Sequence, residues 1–239
     1  MSEFDYILQH SHSMDLNDIF EAALTCGDLA EKTENKNSAD DEYHNGYDRK
    51  TAFQLFKIIE NRTLSDNWRF LKEDYSEYDA EDKDIIFQSL YTLAIYYIEG
   101  LGVEKDYDKA YQLLYVSAND TYGYIESQFY LGNVYQHGYI EVLPDIKQSI
   151  KYYNKAYYNS IYDDATEINV EDEESNKVNS ALQLASIYKK IYDGTLKVKT
   201  KSLIDNALDK SLDYYKLAAE HDDIYGLYNL YLYLYLYLY

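Results

Sequence analysis

The chain has 239 residues and a formal net charge of -21, with 43 acidic side chains against 22 basic ones. This balance argues against nucleic acid as a partner, because phosphate-backbone binding requires a clustered basic surface. The single cysteine excludes an internal disulfide framework and a zinc site built from cysteines alone. The 32 tyrosines can line boundaries and grooves as well as a core, since each ring has a polar tip.

Residues 1–84 are predicted to form an acidic N-terminal region that contains a degenerate helix pair at about residues 15–60. The segment 48–60 has the apolar spacing of a second helix, and residues 15–33 supply the first helix more weakly. Cys26 lies in an apolar stretch of that first helix, so we interpret it as a packing residue and not as a nucleophile. The N-terminus lacks the pattern of a signal peptide, and we expect a cytoplasmic protein without a direct membrane span.

Residues 85–230 contain an internal repeat, with copies at about 88–124, 125–160 and 180–224 and a partial fourth copy from residue 226. The first two copies share an apolar, small, aromatic and glycine pattern at an offset of 38: Leu93, Ala94, Tyr97 and Gly100 match Leu131, Gly132, Tyr135 and Gly138. The spacing of three and four residues predicts two helices in each copy. We therefore expect an all-α fold of antiparallel helix pairs.

Each predicted helix boundary has a physical reason. Gly100 and Gly138 follow the first helix, where a left-handed residue ends a helix at low cost. Asp106 and Asp145 precede the second helix and are suited to capping its free N–H groups. Small residues recur where helices would cross closely: Ala94, Gly132 and Ala185 in the first helix, and Ala110, Ser149 and Ser211 in the second.

The run from Tyr91 to Ala118, YTLAIYYIEGLGVEKDYDKAYQLLYVSA, resembles the Sel1-like repeat family, a relative of tetratricopeptide repeats. The copies from Ser127 and Ser180 match less well, and Ile191 replaces the helix-ending glycine in the third copy. The resemblance implies a right-handed α/α superhelical solenoid that acts as an adaptor and gathers protein partners on a concave face. Regulators of chitin synthase and the adaptor of a ubiquitin ligase at the endoplasmic reticulum are similar proteins, which leaves a regulatory subunit of a membrane-associated enzyme complex as an alternative.

First-helix residues that packing does not use should face that groove, and we predict a protein-binding surface there. Its members are Thr92, Tyr96, Glu99, Tyr130, Asn133, His137, Gln183, Ser186 and Lys190. A cryptic carboxylate-based enzyme is the less favoured alternative, because none of the common nucleotide, hydrolase or zincin motifs occurs in the sequence. We predict no cofactor and no metal. His10 and His12 as a metal-binding pair would need further ligands, which an N-terminal segment without stable structure seldom supplies.

Charge is concentrated in acidic runs at residues 73–84 and 163–174, each with seven acidic side chains. Such runs are typical of solvated loops, and they favour a partner with basic segments. A small basic cluster is formed by Lys189, Lys190, Lys197, Lys199 and Lys201. It can neutralise a neighbouring acidic loop or contact an acidic ligand, and we favour neutralisation within the chain.

Residues 231–239 form a low-complexity tail that alternates Leu and Tyr and carries no charge. The alternation is a strand pattern, but the preceding frame from Gly226 predicts a helix that continues the repeats. An uncharged helix at this position would lack the polar cap that terminal repeats require. Self-association through this C-terminal repeat is therefore a hypothesis.

Overall fold

The computed structural model describes residues 3–34, 49–64, 78–119, 123–139, 142–162 and 170–238. The chain divides into two compact units, Met1–Tyr124 and Ile125–Tyr239. The helices of the first unit are α1 (Glu3–His10), α2 (Leu16–Glu34), α3 (Arg49–Thr63), α4 (Ala80–Glu99) and α5 (Tyr107–Asn119), with a 3₁₀ turn at Ser11–Ser13. Here α2 packs on α3 and α4 on α5, and α3 joins the two pairs by packing on α4.

The second unit repeats this arrangement. Its helices are α6 (Ile125–His137), α7 (Ile146–Tyr162), α8 (Val170–Tyr192), the single turn α9 (Lys201–Ile204), α10 (Ala207–Glu220) and α11 (Ile224–Leu238). α6 packs on α7, α8 on α10, and α7 joins the pairs by packing on α8. The predicted fold class, all-α with paired helices, is confirmed in the described residues.

The predicted helix ends are confirmed at atomic detail. Gly100 and Gly138 have φ of +76° and +78°, and their N–H groups donate to the carbonyls of Tyr96 and Val134 at 2.8 Å each. The Asp106 carboxylate accepts from the N–H of Lys109 at 2.9 Å, which is the N-capping contact of α5. Asp145 accepts in the same way from the N–H of Lys147 at 2.9 Å.

Small residues set the crossing of α6 and α7. A methyl group added to Gly132 would lie 2.6 Å from the ring of Tyr153, so only glycine permits this approach. The Ser149 hydroxyl donates to the Gly132 carbonyl at 2.9 Å, and Asn159 donates to Gln128 at 3.1 Å farther from the loop. From the first contact to the second, the residue number rises along α7, from 149 to 159, and falls along α6, from 132 to 128. The two helices are therefore antiparallel.

The same crossing occurs between α8 and α10. The Ser211 hydroxyl donates to the Ala185 carbonyl at 3.0 Å, and both residues are buried. The small residues predicted at the helix crossings are therefore buried in both helix pairs of this unit: Gly132, Ser149, Ala185 and Ser211. The missing glycine at Ile191 has a simple consequence: α8 continues to Tyr192, and the left-handed residue is Gly194, with φ of +74°.

The predicted N-terminal helix pair is present as α2 and α3. Cys26 is fully buried in α2, as expected of a packing residue. The predicted boundary at residues 84 and 85 falls inside α4, so the acidic region and the repeats share one helix.

The acidic runs were expected to be loops, and both instead extend into helices. Glu81 and Asp82 form the first turn of α4, and the Asp79 carboxylate caps it by accepting from the Asp82 N–H at 2.9 Å. Acidic residues at a helix N-terminus interact favourably with the helix dipole, which is why a charged run can begin a helix. Similarly, α8 begins at Val170, inside the second run.

The Leu-Tyr tail is helical through Leu238, which confirms the helix prediction over the strand alternative. The Asp223 carboxylate accepts from the Gly226 N–H at 2.7 Å and so caps the start of α11. Among the described residues, no helix combines the length and apolar character needed to cross a membrane.

Candidate functional site

The exposed side of α6 carries one stripe of polar side chains. Glu126, Tyr130, Asn133 and His137 follow one another at spacings of four, three and four residues. At 3.6 residues per turn, these positions lie within an arc of about 60° on the helix surface. Asn133 and His137 are exposed, and Glu126 and Tyr130 are half-buried.

α8 carries a matching stripe formed by Asn176, Gln183, Ser186 and Lys190. The side-chain amide of Asn176 donates to the Glu126 carboxylate at 3.0 Å, which joins the ends of the two stripes. Since α6 also packs along α8, the two stripes form one continuous surface. We call this surface, made of the eight residues named in this and the preceding paragraph, the α6–α8 face.

The α6–α8 face rests on a rigid support. α7 and α8 share a core of Ile150, Tyr153, Leu184, Ile187 and Tyr188, all buried. The Tyr153 hydroxyl donates to Gln136 of α6 at 2.8 Å, so the same side chain fixes α6 as well. The relative placement of the two stripes is therefore set by buried contacts and does not require a ligand.

The chemistry of the α6–α8 face differs from that of the chain as a whole. The chain carries a net charge of -21, whereas this face holds one acidic residue, one lysine and six neutral side chains. The amides of Asn133 and Gln183 make no hydrogen bond within the described residues, and each can both donate and accept. Such a surface can pair with the backbone amides of a peptide without requiring a charged ligand.

Three predicted residues lie on α4 in the first unit. Thr92 is half-buried and Glu99 is exposed, on one side of the helix. Tyr96 is only 5% exposed and packs on Phe53 and Phe56, with ring centroids 6.5 and 5.9 Å apart. Tyr96 is therefore a core residue, because its position matches buried Val134 of α6 and not Asn133.

The position that matches Asn133 and Ser186 in α4 is Ile95, which is half-buried. Asn133 and Ser186 directly follow the small residues Gly132 and Ala185, and Ile95 directly follows Ala94. This spacing identifies Ile95 from the sequence. The α4 stripe is therefore Gln88, Thr92, Ile95 and Glu99, which is more apolar than its counterparts on α6 and α8.

Stacked tyrosine pairs join the helices beneath the α6–α8 face. The rings of Tyr135 and Tyr152 lie 5.5 Å apart with an interplanar angle of 7°, and those of Tyr188 and Tyr214 lie 6.1 Å apart at the same angle. Burial raises the pKa of the Tyr214 hydroxyl, which donates to Asn154 at 2.7 Å. These tyrosines are structural, since each ring fills the space between two helices.

Glu60 is a buried carboxylate between α3 and α5. It is 3% exposed and lies 2.5 Å from the Lys57 ammonium and 2.6 Å from that of Lys109. Burial, with Glu60 and Asp106 nearby, raises the pKa of Tyr97 to about 12. A carboxylate held between two lysines is typical of a structural ion pair, and the pair of Glu60 with Lys109 joins α3 to α5. A buried charge of this kind is stable only while its partners are present.

The described residues contain no group of three or more side chains that could hold a metal ion. His10 stacks on Tyr6 with ring centroids 4.1 Å apart, and His12 is exposed. In the basic cluster, Lys189 pairs at 2.7 Å with Asp193, which directly follows the end of α8. Neutralisation of an acidic loop by this cluster stays a prediction.

An open cleft of about 610 Å³ lies between the first half of α8 and the turn that joins α10 to α11. Its walls carry Asp222 and Asp223 beside the exposed side chains of Ile224 and Tyr225. This combination of acidic and apolar groups is complementary to a lysine or arginine side chain, whose stem is apolar and whose head is positive.

Antiparallel helix pairs that share a buried core and present polar stripes on their first helices define a helical-repeat protein. The sequence model of the Sel1 repeat matches residues 88–121, 125–160 and 205–223, so the chain contains three Sel1 repeats. The third match covers α10, and the structure supplies α8 as its first helix. Sel1 repeats generally mediate protein–protein interactions.

Two solved structures are similar to this chain. One is c5321 of uropathogenic Escherichia coli, a protective antigen with an SLR fold, at 19% identity and a TM-score of 0.29. The chain covers 44% of that structure, which in turn covers 77% of this chain. The other is a Sel1 repeat protein from Oxalobacter formigenes, at 13% identity, a TM-score of 0.30 and coverage of 87% and 86%. No curated protein sequence matches the chain significantly.

Proposed function

We propose that this protein is a non-catalytic scaffold that binds a protein partner on the α6–α8 face. The hydrogen bond from Asn176 to Glu126 carries the proposal, because it joins two polar stripes from different repeats into one preformed surface. A preformed surface loses little conformational entropy on binding, which favours affinity. An extended peptide of the partner suits the amides of Asn133, which is exposed, and Gln183, which is half-buried. Backbone N–H and C=O groups match the donors and acceptors of these amides.

The predicted basic character of the partner has separate support in the cleft lined by Asp222 and Asp223. A basic segment there would be attracted by the net charge of the chain as well as by the two carboxylates. Raised salt concentration should then weaken the complex, because exposed charges are screened. A cytoplasmic site of action and a role as regulatory subunit of an enzyme complex stay predictions.

The test is affinity purification from the native cells with three forms of the protein: the wild type, Asn133→Ala/His137→Ala, and Asp209→Ala/Lys216→Ala as a control. Both double variants remove two exposed polar side chains of the same unit. We expect the partner to be recovered with the wild type and the control and to be lost with the face variant. With the purified partner, the face variant should raise Kd by about tenfold or more, the effect of losing about 1.4 kcal/mol at a central contact.

Equal recovery with all three forms would contradict the assignment of the binding surface. Circular dichroism must show the same helix content in the three forms, since the substituted side chains do not belong to the core. If only Asp222→Asn/Asp223→Asn abolished recovery, the binding site would be the acidic cleft instead.

A further inference from the structure

The outer side of α11 presents an unusual stripe of large apolar side chains. Ile224, Tyr228, Tyr231 and Tyr235 are 78%, 60%, 67% and 60% exposed. Their spacings of four, three and four residues place them within an arc of about 60° on the helix. Alternating spacings of three and four are those of a seam along which two helices pack. We call these four residues the α11 stripe.

The opposite side of α11 is already packed. A methyl group added to Gly226 would lie 2.7 Å from the backbone nitrogen of Ala219 and 2.9 Å from the Ala218 side chain in α10. Gly226 is half a turn away from the α11 stripe, so the close contact with α10 turns the stripe outward. No described helix besides α10 packs extensively on α11.

The size of the exposed surface is that of a protein interface. With a full surface of about 200 Å² for each residue, the four members of the α11 stripe together expose about 500 Å². Two such surfaces would remove about 1,000 Å² from water, which reaches the lower limit of specific interfaces. Tyr225 and Leu227, 71% and 49% exposed, lie beside the stripe and enlarge the apolar surface further.

The lack of charge on α11 indicates which kind of partner binds the α11 stripe. The helix has no Asp, Glu, Lys or Arg in a chain of net charge -21, so repulsion between two copies is weakest along this helix. Helices that bind membrane surfaces carry Lys or Arg on the polar face, and α11 carries none. A charged partner would find no opposite charge here, whereas an identical uncharged stripe is a suitable partner.

We propose that α11 pairs with α11 of a second copy, in an antiparallel dimer about a two-fold axis. Antiparallel pairing that matches all four positions sets Ile224 against Tyr235 of the second copy, and Tyr228 against Tyr231. The tyrosine hydroxyls reach the edge of this seam and stay in contact with water. A two-fold arrangement uses the same surface on both copies and therefore closes at the dimer. The α11 stripe shares no residue with the α6–α8 face, so binding on that face and dimerisation can fail independently. It shares Ile224 with the acidic cleft, so a dimer would cover one wall of that cleft.

Sedimentation velocity of the full chain tests the oligomeric state. We expect the 28.2 kDa chain to sediment as a dimer of about 56 kDa at a concentration of about 50 μM. Tyr228→Glu/Tyr231→Glu should give a monomer, with dimerisation weakened about 100-fold or more, because it places four carboxylates in one seam. Tyr115→Glu/Tyr158→Glu, at tyrosines of α5 and α7 that are 48% and 52% exposed, is the matched control and should stay dimeric.

A monomeric wild type at that concentration would overturn the proposal, as would an oligomer that grows beyond the dimer. Binding of the wild type to vesicles of phosphatidylcholine and phosphatidylserine, lost in the Glu variant and without dimerisation, would assign the stripe to membranes instead.

Cross-linking tests the register of the dimer, in a Cys26→Ala background that removes the native thiol. A mixture of the Tyr228→Cys and Tyr231→Cys proteins should oxidise to a mixed disulfide dimer faster than either protein alone. This result follows because the antiparallel register places position 228 opposite position 231 of the second copy. Faster linkage of Tyr231→Cys with itself would overturn the antiparallel register.

Discussion

The inward-facing tyrosines of α7 and the outward-facing tyrosines of α11 occupy opposite environments in the same unit. Tyr152 and Tyr153 are 2% and 0% exposed, while Tyr231 and Tyr235 of α11 are 67% and 60% exposed. The difference arises from the neighbouring helices: α7 packs on both α6 and α8, and α11 packs extensively only on α10 among the described helices. One residue type can therefore build a core or cover a surface. The neighbouring helices and the side of the helix on which a tyrosine lies decide which, since Tyr158 of α7 is 52% exposed.

Truncation of a buried tyrosine gives the largest expected effect. Tyr153→Ala should lower the free energy of unfolding by about 3–5 kcal/mol, since it leaves a large cavity between α6, α7 and α8. Tyr235→Ala on α11 is the control and should cost less than about 0.5 kcal/mol at low protein concentration. Urea unfolding followed by circular dichroism measures both values, and equal losses would contradict the contrast between the two helices.

Removal of the crossing hydrogen bond gives a smaller effect. Ser149→Ala should cost about 1 kcal/mol, because the buried hydroxyl no longer donates to the Gly132 carbonyl. Ser211→Ala should behave alike, as it breaks the corresponding bond to Ala185. Exposed Ser202→Ala is the control in the same urea experiment. An unchanged Ser149→Ala protein would show that the close approach of α6 and α7 does not depend on this bond.

The dependence of stability on pH gives the smallest expected effect. Burial raises the pKa of Tyr97 to about 12 and also raises that of Tyr153. Unfolded tyrosine ionises near pH 10, so the unfolded chain releases protons first and stability falls as pH rises above about 10. Tyr97→Phe should make this fall shallower. Tyr235→Phe is the control and should leave the fall in stability unchanged. Thermal unfolding between about pH 9 and 12 measures how steeply stability falls in each protein. Identical slopes in the wild type and Tyr97→Phe would exclude Tyr97 as a cause of the fall.

Local sequence patterns predicted much of the fold. Gly100, Gly138, Asp106 and Asp145 end or begin helices through contacts within a few residues, so the sequence is sufficient to identify them. The candidate site was harder to predict. Tyr96 and Ile95 are neighbours on one helix, and an aromatic residue next to an aliphatic one does not itself show which is buried. Counting from Ala94 matches Ile95 to Asn133, and the packing of Tyr96 on α3 shows that Tyr96 is the buried position.

The acidic runs illustrate the same limit. Composition favours solvated loops for such runs, yet Glu81 and Asp82 belong to α4 because the helix dipole and the Asp79 cap stabilise them there. A sequence pattern that averages over a window does not show where a helix starts. The Leu-Tyr tail had two open interpretations, and its contact with α10 through Gly226 favours the helix.

The sequence by itself determined the repeat, the pairing of helices and the small residues at their crossings, because these depend on period and on local backbone geometry. Tertiary structure decided which of the tyrosines are buried, that Asn176 joins α8 to α6 through Glu126, and that the α11 stripe faces outward. Those outcomes depend on which helices become neighbours. Burial is a property of the whole packed unit, and side chains of one residue type differ only in what surrounds them.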